Sequence, residues 1–237
     1  MSEQAAQSTE GNPVPKVLAF DVFGTVVDWH TSIAREVEAV VPGIDGDAFA
    51  LKWREGYKPA MAATMASGQF RVLDELHMDI LRSIAPPSLS EEQLADLNRA
   101  WHRLDPWPEA VAALTRLRTR FIITPLSNGG IGLLTHMAKR AGLPWDVVLC
   151  AEVFGAYKPD PRTYQGVARV IGVTPGEVML VAAHHNDLDG AQDAGLQTAY
   201  IERVHEFGAS RTKDVAPQPR HPLHFRDLAA LADYFGC

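Results

Sequence analysis

Cysteine is nearly absent: the 237 residues hold two, Cys150 and Cys237. Two thiols without CxxC spacing make neither a disulfide framework nor a zinc site, and a reducing cytoplasm is the expected setting. No apolar run approaches the ~20 residues of a membrane span. Positive charge is also scarce, with 22 Lys and Arg against 29 Asp and Glu. The net charge of −7 argues against nucleic acid or an anionic membrane as a general partner. The first fifteen residues, Met1 to Pro15, are polar, hold Gly and Pro, and lack the basic and apolar regions of a signal peptide. They read as a disordered tail. No repeat or low-complexity tract stands out. What remains is 46% hydrophobic and 22% charged, ordinary for a soluble globular chain of one large domain or a core plus a smaller unit.

The informative stretch is Val17 to Asp28. Val17-Leu18-Ala19-Phe20 is an unbroken apolar run that stops at Asp21. Such a run reads as a strand buried on both faces of a parallel sheet. A carboxylate at its C-terminal end lies where open α/β folds bind ligands. Gly24 supplies a permissive backbone for a sharp turn, and Thr25 can return its hydroxyl to the Asp21 carboxylate. Taken alone, Asp21 is an ordinary turn residue.

From Ser32 to Leu104 the patterns are helical only. A first helix is expected over Ile33 to Val41. A second is capped by Asp47 and runs through Phe49, Trp53 and Tyr57, with a break at Pro59. A third follows Leu73 to Ile84, and a fourth opens on the capping box Ser90 to Gln93. Strand and helix then alternate: helix Glu109–Leu117, strand Phe121–Leu126, helix Ile131–Ala141 closed by Gly142, strand Val147–Cys150, helix Thr163–Ile171, strand Val178–Ala182, helix Leu188–Ala194, strand Thr198–Ile201 and helix Phe225–Tyr234. Glu206 to Arg220 reads as a surface loop. The expectation is an α/β chain: a doubly wound, Rossmann-like parallel-sheet core with an inserted helical-bundle cap domain. The core takes residues 16–28 and 105–237, and the cap residues 29–104.

Four turns place polar residues directly after apolar strands: Asp21, Ser127-Asn128, Lys158 and Asp187. In a parallel sheet these turns share one edge and converge on one cleft. Each alone is a common turn; the four together, chemically complementary, are a stronger signal.

The string Asp21-Val22-Phe23-Gly24-Thr25-Val26-Val27-Asp28 resembles the first motif of the haloacid dehalogenase superfamily. Ser127 matches its second motif. Lys158-Pro159-Asp160 with Tyr164 matches its third. Trp53-Arg54 and Leu73-Asp74-Glu75-Leu76-His77 are similar to the cap of its type II haloacid dehalogenases. The resemblance covers nearly the whole chain after residue 16. It implies that Asp21 is a nucleophile. Phosphatases of the superfamily carry a second Asp where this chain has Phe23, and an acid where it has Ala183; both departures point to the carbon–halogen branch. Mg²⁺ wants several oxygen ligands, so Asp21 and Asp187 alone form a poor site, and no metal or cofactor is expected. Known dehalogenases often have Ser and Asn at the positions of Ala182 and His184, and an aromatic at that of Asn186. His184 then either replaces an amide that holds water or is a strand-end histidine. Adjacent residues of an extended chain face opposite sides, so at most one of His184 and His185 enters the cleft.

The resemblance implies a hydrolytic dehalogenase of short 2-haloalkanoic acids. Asp21 displaces halide from C2, inverting it, and water then cleaves the Asp21 ester. Lys158 pairs with Asp21; Ser127 and backbone N–H groups bind the substrate carboxylate; Asn128 and Arg54 receive the halide; Asp187, with His184, serves the water. Tyr164 supports Lys158 or the nucleophile, and Phe23, Trp53 and Tyr57 could wall the site. Asp28 reads as a cap or hinge. A homodimer is expected on resemblance alone. The alternatives are a phosphatase or phosphonatase-like hydrolase, or a non-catalytic binding protein on the same fold.

Overall fold

The structure, a computed structural model, describes residues 13–237; most of the tail expected over 1–15 therefore lies outside the described residues. Strand β1 (Val17–Phe20) leads through the Asp21–Val26 turn to a short strand β2 (Val27–Asp28). Five helices follow: α1 (Trp29–Val40), α2 (Gly46–Glu55), α3 (Tyr57–Ser67), α4 (Leu73–Ile84) and α5 (Glu91–Asn98). Strand β3 (Asp105–Pro106) then pairs antiparallel with β2, tying the two crossings into the helical insertion together.

The remainder is α6 (Ala110–Arg118), β4 (Ile122–Ser127), α7 (Ile131–Ala141), β5 (Leu149–Cys150), α8 (Ala151–Phe154), α9 (Pro161–Ile171), β6 (Val178–Ala182), α10 (His185–Asp193), β7 (Gln197–Ile201), β8 (His224–Phe225) and α11 (Leu228–Tyr234). Six strands form one parallel sheet in the order β5-β4-β1-β6-β7-β8. The expected doubly wound α/β fold with a helical cap is what the chain adopts.

β1 lies mid-sheet and all four of its residues are fully buried. Its side chains alternate: Leu18 and Phe20 join a core with Leu114, Leu117 and Leu231, while Val17 and Ala19 join one with Tyr164, Val167 and Leu188. A strand with helices on both faces must be apolar at every position, and this explains the unbroken run. β1 is also the switch point, because β4 and β5 follow it on one side and the chain then crosses to build β6, β7 and β8 on the other.

Local readings needed four corrections. The second helix breaks at Gly56, not Pro59. A side chain at Gly56 would meet Ile80 at 2.7 Å, so the close approach requires glycine, and Pro59 falls in the first turn of α3, where its missing N–H costs nothing. Asp45 rather than Asp47 caps α2, accepting from Ala48 N–H. The last helix starts at Leu228 behind an Asp227 cap, because His224–Phe225 pair with β7. Helix α10 begins three residues before the expected Leu188, which places Asp187 in its first turn. Asp28 is indeed a cap: it accepts from Thr31 N–H at the start of α1.

Candidate active site

Asp21 sits immediately beyond β1, with its own N–H bonded to Val181 O of β6. Its two carboxylate oxygens have different partners. Oδ1 accepts from Lys158 Nζ at 2.9 Å. Oδ2 accepts from Thr25 Oγ1 at 2.7 Å and lies 3.0 Å from His184 Nδ1. Thr25 in turn accepts the Ala183 N–H, so one hydroxyl ties the β1 turn to the β6 turn.

Lys158 Nζ also bonds Asp187 Oδ2 at 2.5 Å, and Tyr164 donates its hydroxyl to Asp187 Oδ1 at 2.8 Å. Tyr164 reaches that position because Gly190 has no side chain: a Cβ there would lie 2.8 Å from the phenol oxygen. The Lys158 N–H donates to Asn128 Oδ1, an arrangement that fixes the amide and leaves Asn128 Nδ2 as a free donor.

The electrostatics follow from these contacts. Burial opposes ionisation of Asp21, but the Lys158 charge and the His184 and Thr25 hydrogen bonds outweigh it and hold the carboxyl far below the usual range. Burial likewise opposes the Lys158 charge, and the Asp187 and Asp21 carboxylates keep it protonated. Asp187 is pushed upward, by burial first and by the Asp21 charge, against the pull of Lys158.

The second histidine partner is a residue that sequence reasoning missed. His184 Nε2 lies 2.7 Å from Glu206 Oε1, and Glu206 Oε2 accepts from Lys213 Nζ at 2.5 Å. Glu206 is only 1% exposed: residues 206–220 are the expected surface loop, with 209–212 and 216–220 exposed, but its first residue is interior. The charge is tolerable in the interior because a cation lies on each side of it. Glu206 is held down to about 2, with burial opposing and the His184 and Lys213 charges prevailing. His184 is raised to about 9: burial opposes its charged form, while Glu206 and Asp21 favour it. His185 turns away as expected and stacks on Tyr200 at 4.1 Å. No local pattern flags Glu206; the only clue in the sequence was an unexplained acid in a polar loop.

These groups line a cavity of about 1000 Å³, together with Phe23, Trp29, Arg54, Tyr57, Asn128, Asn186 and Phe207. Arg54 lies over the Tyr57 ring at 4.0 Å, within 5.6 Å of the Phe23 ring centre, and its buried Nη1 has no hydrogen-bond partner among the described residues. Asp21, Asp187 and Glu206 are matched by Lys158, His184 and Lys213. Arg54 has no such carboxylate partner among the described residues, so it presents uncancelled positive charge. Three expected residues fall outside the lining, and the first, Thr25, is fully buried and reaches the site through its bond to Asp21 Oδ2. Ser127 is fully buried and its Oγ accepts from Gly129 N–H. Trp53 packs inside the helical insertion, donating to His77 O, and Trp29 takes the expected place in the wall.

The chain matches the haloacid dehalogenase-like hydrolases over residues 15–195, and it belongs to that family. It is 30% identical over 203 residues to the (S)-2-haloacid dehalogenase of Xanthobacter autotrophicus, covering 83% of this chain and 78% of that one. Among solved structures, a defluorinating L-2-haloacid dehalogenase is 42% identical with a TM-score of 0.88, over 94% of this chain and 96% of the other. The L-2-haloacid dehalogenase from X. autotrophicus with chloropropionic acid covalently bound is 25% identical with a TM-score of 0.81, over 94% and 99%. The family expected from the motifs is thus established.

Proposed function

We propose that the chain is a hydrolase of carbon–halide bonds that converts short 2-haloalkanoic acids to 2-hydroxy acids through an ester on Asp21. A carboxylate is ionised near neutral pH without a base to activate it. Oδ2 already carries two donors, whereas among the described residues Oδ1 carries Lys158 alone. Oδ1 is therefore the attacking oxygen. It displaces halide from C2 from the rear, inverting that carbon, and the halide leaves toward Arg54 and Asn128 Nδ2, where positive charge meets the charge that develops. The backbone N–H groups after Asp21 hold the substrate carboxylate, while Ser127, buried outside the lining, orders the turn that carries Asn128 through its bond from Gly129 N–H. Phe23 and Tyr57 wall the reacting carbon. Residues 29–104 act as the cap that excludes water, strengthening each charge term inside.

In the second step Asp187, raised above an ordinary carboxylate, takes a proton from the water that attacks Cγ of Asp21. Asn186 lines the cavity from the first turn of α10, where it helps bind the substrate and halide.

One observation carries the reading: the ionised Asp21 shares its cavity with the Phe23 ring, which has no proton to give a leaving group. A halide needs none; an alcohol leaving from phosphate does. A Mg²⁺ site of the phosphatase kind does not fit these residues. The Lys158 ammonium already bridges Asp21 and Asp187, and Ala183 supplies no further oxygen side chain, so no step runs through a metal.

The test is free halide released from chloroacetate and L-2-chloropropionate with chelator present, followed by a single turnover in H₂¹⁸O. Label is expected in the Asp21 side chain. Product formed without label at Asp21 would sink the ester pathway, and Mg²⁺-dependent phosphate ester hydrolysis without halide release would select the phosphatase alternative.

A further inference from the structure

The Asp21 ester must be hydrolysed after it forms, and one side of Asp21 is built for that step by Thr25 of the first motif together with His184, Glu206 and Lys213. Oδ2 faces a hydroxyl and an imidazole: Thr25 Oγ1 at 2.7 Å and His184 Nδ1 at 3.0 Å. Behind the imidazole stand Glu206 and then Lys213, whose Nζ also donates to the Ala183 carbonyl at 2.5 Å. Gly24 makes room for this arrangement. A Cβ on Gly24 would lie 2.3 Å from Glu206 Oε1, and its φ of +88° is one that other residues rarely adopt.

We propose that Glu206, clamped by Lys213, is a positioning residue that holds His184 as an imidazolium on Asp21 Oδ2, so that His184 and Thr25 together stabilise the oxyanion formed when water attacks the Asp21 ester. The inference rests on the dehalogenase reading above. With Oδ1 alkylated, Oδ2 is the ester carbonyl oxygen. Water bonds to Cγ and gives one proton to Asp187, and the carbonyl electron pair moves onto Oδ2, where the two donors meet it. Collapse restores the carbonyl and breaks Cγ–Oδ1. The departing alkoxide takes the proton from Asp187 and leaves as the 2-hydroxy acid. The remaining carboxyl proton goes to solvent, and Asp21 is again a carboxylate. The Glu206 carboxylate 2.7 Å from Nε2 accepts the Nε2 proton and favours the imidazolium, so the second proton stays on Nδ1, facing Oδ2. A neutral imidazole could instead present a lone pair to Oδ2 and repel the oxyanion.

The first step does not use this pair in the same way, since halide displacement drains charge from the carboxylate. Weakening it should therefore slow ester hydrolysis selectively. Glu206→Gln is tested with L-2-chloropropionate by rapid-quench halide release and intact-mass spectrometry. The expected result is a burst of about one halide per active site, a steady rate lowered by about 10²-fold as for loss of one oxyanion donor, and accumulated enzyme bearing the acid as an ester on Asp21. Glu206→Asp should recover part of the steady rate. A burst and steady rate lowered together, with no adduct, would overturn the proposal while leaving the ester pathway intact. Absence of halide release or ester in the wild type would instead overturn the reading beneath it.

A readout on the wild-type enzyme guards against a misfolded variant. Its ¹⁵N spectrum should show His184 with both ring nitrogens protonated at pH 8. The charged groups that face it are Asp21 and Glu206, with Lys158, Asp187 and Lys213 one contact further out. A neutral His184 at pH 8 would overturn the proposal.

Discussion

Asp21 is held from two sides by chains of alternating charge, and the two sides are built differently. On the Oδ1 side stand Lys158, Asp187 and Tyr164. On the Oδ2 side stand His184, Glu206 and Lys213. The first chain is mounted on the ends of regular elements: the loop leading into α9, α9 itself and the first turn of α10. The second depends on an irregular segment after β7 and on the missing side chain of Gly24. The first sets the charge of the nucleophile at the oxygen that attacks; the second addresses the oxygen that becomes a carbonyl. Catalytic power should depend on the first chain at halide displacement and on the second at ester hydrolysis.

The largest break in that comparison comes from removing what both chains hold. Asp21→Asn should lower kcat for haloacid turnover by about 10⁴-fold or more, with no halide burst in a rapid-quench assay. Full turnover in this variant would remove Asp21 as the nucleophile. Next comes the cavity's uncancelled charge. Arg54→Ala should lower kcat/KM by about 10²-fold. Arg54→Lys should recover only part of it, because an ammonium keeps the charge but loses the planar stacking on Tyr57. Steady-state kinetics on the two variants decides whether geometry or charge alone is needed.

The difference between the two chains also explains what could be read from sequence. Asp21, Thr25 and Asp187 each sit at a fixed distance from a strand end or helix start, so an apolar run followed by a turn locates them; Lys158 and Tyr164 lie beyond α8 and were legible through their match to the third motif. The fold was legible for the same reason: β1 must be apolar throughout because helices cover both its faces. Some short strands were not legible. β2, β3 and β8 hold two residues each and, unlike β5, have no apolar run leading into them. The break at Gly56 is set by Ile80 across the helix pair, a contact that adjacent residues do not encode. Glu206 belongs to the same class. It is 22 residues from His184, in a segment whose polarity resembles any surface loop, and only its partners make it an interior residue.

Gly24 separates conformation from contact on the second side. Gly24→Ala should destabilise the fold by about 1–3 kcal/mol through its positive φ alone, and by more because the new methyl displaces Glu206. Gly43 is the control: its φ is +82°, and nothing lies within 4 Å of a Cβ built there. Gly43→Ala should carry the conformational cost only and leave ester hydrolysis unchanged. Urea denaturation of both variants, with rapid-quench kinetics, measures the difference between them. Equal stability losses and equal kinetics would mean that Glu206 moves aside without consequence.

The smallest effect is the pH dependence of stability, and it distinguishes the two chains by the pH range in which each cation titrates. His184 is raised in the folded protein to about 9 from an ordinary 6.5. Its favourable interactions are therefore fully present below pH 6.5 and are lost as pH rises through 9. Glu206, lowered from 4.5 to about 2, contributes above pH 4.5 and loses that contribution as pH falls toward 2. Lys158, raised above an ordinary lysine, holds its partners together beyond the range in which His184 titrates. Between pH 7 and 9.5 the Oδ2 side should loosen while the Oδ1 side does not. The wild-type Tm should fall across that interval, and His184→Asn, which has no proton to lose, should flatten the fall. If the variant keeps the same alkaline slope, the loss originates elsewhere, and His184 does not couple the Glu206 segment to Asp21.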